Sequence, residues 1–340
     1  MANIAMVVTN ACAPDPRVER HAKWLVESGH SVTIHAWDRK SIFPKKDTKN
    51  GYNITRYRYG IIEHNEPIKT WFIKKKFLKN ITINSDLLIL NDTDTNGVYF
   101  KGKVLLDIHD LAHTWPLMRS KSLLHRIASK LMRRDAKKAI KRADSVIVSA
   151  PGFRKFVKNF GRDSDVVMNK IPSKRIDLCK RKVVGYLGRI REAKSIIVAH
   201  EAAMIAGFDF LLAGDGSDVD DVLEQVSEID YRGPFDAIQY EELLHEISVM
   251  YAMYDPSRSN IKEGAIPTKM LDAAAYGIPS VVNENTAMGD YCLENKIGST
   301  APYGNKEEIA ESIKVAHNIE IKTLQHDDKD VFLSVINRLI

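Results

Sequence analysis

VVGYLGRIREAKSIIVAHEAAMIAGFDFLLAG, residues 183–214, is the stretch whose reading decides the fold. Two near-continuous apolar runs, VVGYL (183–187) and FDFLLAG (208–214), flank a glycine turn and a helical segment. Strands that are apolar along their whole length need cover on both faces, and crossover helices on a parallel sheet provide it. The theme recurs outward from this unit. In the first half, strands are expected at 4–8, 31–37, 54–59, 86–90, 104–108, 145–150 and 166–168. In the second half they are expected at 183–187, 208–214, the short IDY before Arg232, 249–255 and 279–283. The reading is therefore α/β, with two doubly wound Rossmann-like domains. A length of 340 residues suits that number of cores. The expected boundaries are 1–175 for the first domain and 176–320 for the second, with 321–340 a C-terminal helix packing back on the first. The polar, basic stretch from Asn169 through Lys182, with Pro172 inside it, is the natural linker.

Composition narrows the function classes. Three cysteines (Cys12, Cys179, Cys292), widely spaced and odd in number, argue for a reducing, cytoplasmic setting and against a paired-cysteine zinc or redox site. The apolar run at the N-terminus is short and has no basic leader, so it reads as a first strand rather than a signal peptide. No apolar run approaches the length of a membrane span. Residues 1–180 carry 35 Lys and Arg against 17 Asp and Glu, whereas residues 181–340 carry 15 against 27. This asymmetry points the first half at an anionic surface or substrate. Nucleic acid is not expected as a partner, because there is no zinc-finger spacing, no aromatic RNA-binding motif and no basic tail.

Ligands of doubly wound sheets bind beyond the carboxyl ends of the strands, so residues just after strands matter most. After VVGYL, Gly188-Arg189 leads to Lys194 at the start of a helix. A helix N-terminus with two cations nearby suits a diphosphate, although a basic loop of this kind can also be plain solvated surface. Gly214-Asp215-Gly216 follows the next strand, where glycine serves either a close ligand or a tight turn. KEGAIPTKMLDAAAYGIPSVVN (262–283) sets Glu263 and Asp272 around a helix start, with Lys269 in or near its first turns and Gly277 at its end. An acid there also answers the helix dipole without any ligand. In the first half, DIHDLAH places Asp107, His109, Asp110 and His113 after a strand, as a metal site, an acid/base pair or ordinary packed histidines would. Asp92-Thr-Asp94 follows another strand, a weak metal-binding pattern.

Taken together and in order, these segments resemble the retaining glycosyltransferases of family 4, which have the GT-B fold. DPRVERHAKWLVESGHSVTIHAW resembles the first βαβ unit of a subgroup that begins Asp-Pro-Arg-Val. LILNDTDTNGVYFKGKVLLDIHDL, ADSVIVSAPGFRKFV and NKIP are similar to its later segments. GYLGRIREAK resembles the donor-phosphate loop, LLAGDGS and YRGPF follow at the family's intervals, and EGAIPTKMLDAAAYGIPSVV resembles its acidic donor motif. The sequence departs from the pattern in three places. Glu263 and Asp272 are separated by eight residues rather than seven with Asp as the second acid, the subgroup's His-Glu is His109-Asp110, and the first loop, residues 9–18, lacks the glycine pair that many members use near the diphosphate.

The resemblance implies two domains facing across a cleft, with a nucleotide-diphosphate sugar on the second. Arg189 and Lys194 would hold the diphosphate, so that no metal and no other cofactor is needed. Asp272 would take the ribose hydroxyls. Glu263, with Gly264, Ala265 and Ile266, would contact the donor sugar, and Gly214 would lie by the donor. His109 would stand beside the transferred sugar as a catalytic group. Asp15, Arg17 and Asp110 are expected on the acceptor or diphosphate side. The implied activity is sugar transfer with retention at the anomeric carbon, in glycan biosynthesis.

The acceptor is left open as a glycan, a lipid or a small molecule. Because IKTWFIKKKFLKN (68–80) and RSKSLLHRIASKLMRR (119–134) interleave apolar residues with cations, a lipid-linked or anionic acceptor at the inner membrane face is one expectation. Ordinary solvated helix faces are the other. Two further functional readings stay open: a catalytically weak or inactive homologue that binds a nucleotide sugar or a partner enzyme, and a sugar-nucleotide epimerase.

Overall fold

A computed structural model describes residues 1–62, 66–120, 122–176 and 181–340. Cys179, Lys121 and residues 177–180 of the expected linker lie outside the described residues. The chain divides into two compact units, Met1–Met168 with Asp328–Ile340, and Asn169–Asp327.

The first unit holds β1 (Asn3–Val8), β2 (Ser31–Trp37), β3 (Lys46–Lys49), β4 (Tyr52–Tyr57), β5 (Leu87–Asn91), β6 (Lys103–Ile108), β7 (Ser145–Val148) and β8 (Asp165–Val166). They form one sheet in the order β3-β4-β2-β1-β5-β6-β7-β8. Every pair is parallel except the β3–β4 hairpin. The strand order reverses between β1 and β5, the kind of point where such sheets open a crevice. β5 is buried at every residue because it lies mid-sheet with both faces covered. Each Leu or Ile so buried contributes roughly 1.5–3 kcal/mol.

The second unit holds β9 (Val183–Leu187), β10 (Asp209–Ala213), β11 (Asp230–Tyr231), β12 (Val249–Tyr251), β13 (Ser280–Asn283) and β14 (Gly298–Ala301). Its sheet is parallel throughout, in the order β11-β10-β9-β12-β13-β14. The order reverses between β9 and β12. The helix Ala193–Ala206 between β9 and β10 buries Ile196, Ala199, Ala202 and Ala203 against the sheet. Gly207 ends it in the left-handed conformation, with φ 76°. An alanine-rich face lets the helix approach the sheet closely, and glycine accepts the cap conformation without a Cβ penalty.

The helix Lys329–Asn337 belongs to the first unit. Its Phe332 is fully buried and stacks on His21 at 4.3 Å, beside Trp24 at 5.7 Å. The Met168 N–H donates to Asp328 Oδ2 at 2.7 Å, fastening the start of this helix to the end of β8.

Two strands were not expected, β3 and β14, and each has a physical reason. β3 is Lys-Asp-Thr-Lys, fully exposed on a sheet edge, so it has no apolar run to reveal it. Its signal is the turn, because Asn50 and Gly51 both have positive φ (48° and 84°) and an Asn-Gly pair strongly favours a tight hairpin. β14 is Gly-Ser-Thr-Ala, and a Cβ on Gly298 would overlap the Ser280 carbonyl of β13. Small residues there reflect close pairing. The expected strand at 249–255 stops at Tyr251, after which the chain leaves the sheet.

Candidate functional site

In the second unit the loops after β9 and β10 meet backbone to backbone. The Gly188 N–H donates to Ala213 O at 3.0 Å and the Ile190 N–H to Asp215 O at 2.8 Å. A Cβ on Gly214, whose φ is 137°, would overlap the Gly188 carbonyl, and one on Gly216 would overlap that of Ile190. Gly214 therefore serves loop packing and is not among the residues lining the cavity described next.

That cavity, of about 410 Å³, opens at the carboxyl ends of β9 and β12. Its wall includes Tyr186, Gly188, Arg189, Arg191 and Glu192 from β9 and its loop, and Tyr254 and Arg258 from the segment after β12. Phe235 and Tyr240 stack with centroids 5.3 Å apart, on another side of the wall. Thr268, Lys269 and Asp272 from the helix Thr268–Tyr276 complete it. That helix begins after Pro267, whose side chain cannot cap it.

The cations of the wall differ in how they are balanced. Arg189 is exposed and pairs with Asp215 at 2.7 Å. Arg258 pairs with Glu192, whose carboxylate also accepts from the Asp255 N–H at 3.0 Å and the Tyr303 hydroxyl at 3.2 Å. Among the described residues Lys269 has no hydrogen-bond partner for its amine, which is buried although the residue as a whole keeps some exposure. Burial pulls its pKa down to about 7, with the Glu192 charge opposing. The Asp272 carboxylate takes a long 3.4 Å hydrogen bond from the Tyr240 hydroxyl.

Of the residues expected around the donor, the structure brings Arg189 and Asp272 to one cavity. Lys194 is exposed and is not part of its lining; Arg191, Arg258 and Lys269 supply the remaining positive charge. Glu263 closes the short helix Ser259–Lys262, and Gly264, at φ 92°, turns the chain toward Ala265 and Ile266. None of these four lines the cavity. Sequence reasoning placed Lys269 in or near the first turns of this helix but gave it no ligand role; its signal was helical spacing, since Lys269 and Asp272, three apart, share one helix face.

In the first unit, Asp107 at the end of β6 is fully buried and gathers several groups. Arg17 Nε donates to both of its oxygens at 3.1 Å and Nη2 to one at 2.6 Å. Arg17 Nη1 donates to Val167 O at 2.7 Å. His21 Nδ1 and His109 Nε2 stand 3.1 and 3.2 Å from the carboxylate, neither aligned for a hydrogen bond. Burial works against the Asp107 charge, yet Arg17 and then His109 hold it well below the ordinary carboxylate range. Burial lowers His21 to about 3, so it is neutral. His109 is pushed the other way: burial opposes its charge, but Asp92 and then Asp107 raise its pKa to about 9.

Arg17 is thus a buried structural residue here, not a loop residue open to a ligand. Asp15 caps the helix Pro16–Glu27, accepting from the Val18 N–H at 3.3 Å and from Asn10 at 2.8 Å. Asp110 accepts from Trp115 Nε1 at 2.7 Å. Asp92, at φ 67°, accepts from the His109 N–H at 2.8 Å, and burial raises its pKa to about 6. Asp94 is tied to Thr9 at 2.9 Å and Lys74 at 3.3 Å. His113 stacks on Phe156 at 4.7 Å. Among the described residues no group of three or more His, Cys, Asp or Glu side chains is placed to hold a metal ion.

Residues 181–318 match the family model described as Glycosyl transferases group 1. No curated protein matches the chain in sequence. Solved structures match its fold over nearly its whole length. Sucrose-phosphate synthase from Thermosynechococcus elongatus is 14% identical, with 93% of this chain and 89% of that one covered, at a TM-score of 0.70. S. aureus TarM, solved with UDP, is 12% identical, with 100% and 97% covered, at 0.61. Anabaena HepE, solved with UDP-glucose, is 11% identical, with 100% of each chain covered, at 0.61. These likenesses establish two Rossmann-like sheets of the GT-B type, and the family match supports a glycosyltransferase domain in the second unit.

Proposed function

We propose that the chain is a retaining glycosyltransferase, independent of metal, that takes a sugar from a nucleotide-diphosphate donor bound in the second unit. The observation that carries this reading is the cation-lined cavity beyond β9 and β12, which lies within the residues matching the glycosyltransferase family model. A diphosphate gains negative charge as the sugar leaves it, so fixed positive groups favour the transition state over the ground state. Arg189, with Lys194 at the start of the following helix, would face that charge, and Asp272 would hold the ribose. Glu263 and the Gly264–Ile266 turn would contact the sugar, and Gly214 keeps the donor loops together. His109, charged at neutral pH, would stabilise the transferring sugar. Asp15 and Asp110 would lie on the acceptor or diphosphate side, and Arg17 would act on His109 only through Asp107, the carboxylate that both face. That HepE was solved with UDP-glucose and TarM with UDP supports a nucleotide-sugar ligand.

The acceptor side is proposed to meet an anionic membrane. The helix Leu123–Arg142 exposes Leu123 at 72%, Leu124 at 77%, Ile127 at 46% and Leu131 at 54%. It carries eight Lys and Arg against Asp135 alone. Apolar residues that enter the headgroup region, flanked by cations, suit a surface helix on anionic lipid, at about 1 kcal/mol per cation. No helix of the described residues is long and apolar enough to cross a membrane.

Thermal-shift screening of the full chain against UDP, GDP, ADP, CDP and their sugars tests the donor. A ligand at 100 times its Kd adds about 2.7 kcal/mol of stability, and no shift with any of them overturns the reading. Turnover of the stabilising donor, followed by anomeric proton NMR of the product, tests transfer and retention; binding without turnover on any acceptor identifies a binding homologue instead. Co-sedimentation tests the membrane face, which requires binding to vesicles containing phosphatidylglycerol and none to neutral vesicles.

A further inference from the structure

We propose that Lys269 is the cation that closes on the diphosphate of a bound nucleotide, a role that rests on the cavity taking a nucleoside diphosphate as proposed above. The first support is that the amine is placed where packing alone would favour an apolar side chain. It is buried without a hydrogen-bond partner, against the face of Tyr186 at 3.4 Å from the ring centroid and 5.7 Å from that of Tyr254. A ring face offsets part of the desolvation of a cation, but an unmet donor still costs free energy that a methionine would not.

The glycine beside the amine is the second support. Gly188, at φ 139°, has no side chain, and a Cβ there would stand 3.4 Å from Lys269 Nζ. Gly188 and Lys269 both line the cavity, so the amine lies beside the bare backbone of the loop after β9, with no side chain at 188 between them. The third support is that two of the other wall cations are already paired, Arg189 with Asp215 and Arg258 with Glu192, while Arg191 is exposed to solvent. Lys194, the lysine that spacing in the sequence favours, lies outside the cavity wall.

The surroundings give this role a signature. Around the amine stand Tyr186, Arg189, Arg191 and Glu192 from β9 and its loop, and Tyr254 and Arg258 after β12. Tyr240 and, on its own helix, Asp272 complete the charged and titratable groups of the wall. Burial draws the Lys269 pKa down to about 7, and Glu192 is the group that pulls it back toward charge. An arriving phosphate adds a second and closer negative charge, which raises the amine's pKa in the complex. Above neutral pH the free site then holds a largely neutral amine, and the bound site an ammonium. Nucleotide binding takes up a proton from solvent, and affinity falls by up to tenfold per pH unit above about pH 7, until the bound-state pKa is reached. A lysine with a purely structural role would leave binding independent of pH in this range.

The test is calorimetry of the full chain with UDP and GDP near pH 8, in two buffers of different ionisation enthalpy. Wild type is expected to take up a substantial fraction of a proton with the nucleotide that binds. Lys269→Met is expected to lose that uptake and to bind about ten- to a hundredfold more weakly. Lys269→Arg, always charged, keeps binding without the uptake, and carries the test if Lys269→Met fails to fold. Wild-type binding with no proton uptake, or either variant binding with the wild-type uptake, overturns the role of Lys269 and leaves the nucleotide site standing. Failure of wild type to bind any nucleoside diphosphate overturns both.

Discussion

Replacing Asp107 by Ala probes how the first unit is held together and how His109 is charged. The substitution removes the carboxylate that meets Arg17 at 2.6 Å and leaves a guanidinium that is 5% exposed and still donates to Val167 O. Breaking a buried ion pair from one side costs about 3–5 kcal/mol, because the surviving charge loses its counter-ion where water cannot replace it. In a unit of this size each kcal/mol moves the midpoint by about 2–4 °C, so Tm should fall by about 6–20 °C. The assay can be confined to the right unit, since all four tryptophans (Trp24, Trp37, Trp71 and Trp115) lie in it and fluorescence reports its unfolding. Arg17→Met combined with Asp107→Leu should recover much of the loss, the charge having gone from both sides. The His109 pKa, followed by NMR, should drop from about 9 in Asp107→Ala, with Asp92 remaining as its anion. A Tm change under 2 °C, or additive effects of the two positions, would refute the network.

Three further outcomes follow from the same geometry. Phe332→Ala should lower the tryptophan-monitored stability by about 3–5 kcal/mol, because a fully buried ring is lost from the core it shares with His21 and Trp24. Gly214→Ala should destabilise the second unit and abolish nucleotide binding, since the new Cβ overlaps the Gly188 carbonyl in a backbone conformation that also disfavours alanine; calorimetric unfolding of the variant checks it. His109, with its folded pKa raised to about 9, contributes stability fully present below its ordinary value near 6.5 and lost as pH rises through 9. Urea denaturation between pH 6 and pH 10 should show that loss in wild type and much less of it in His109→Gln.

The sequence made the α/β architecture legible because most strands are buried on both faces and therefore read as apolar runs. β3 stayed hidden because it is polar and lies on an exposed edge, and β14 because its crowded pairing takes small residues, with Ala301 the one apolar side chain. At the site, Arg189 and Asp272 were legible from their places after a strand and at a helix start. The Arg17–Asp107 pair was not, because its partners are 90 residues apart and each alone looks like a ligand group. Lys269 was hidden differently. A cation in a helix segment normally signals solvent, and only the packed rings of Tyr186 and Tyr254 show that this one points inward.

The most direct measurement of the central claim is a crystal structure of the full chain with the nucleotide sugar that stabilises it most. The diphosphate should lie in the cavity beyond β9 and β12, within hydrogen-bonding distance of Arg189 and Lys269, with the ribose hydroxyls on Asp272. A nucleotide bound anywhere outside that cavity, or a diphosphate there that touches neither cation, would contradict the account.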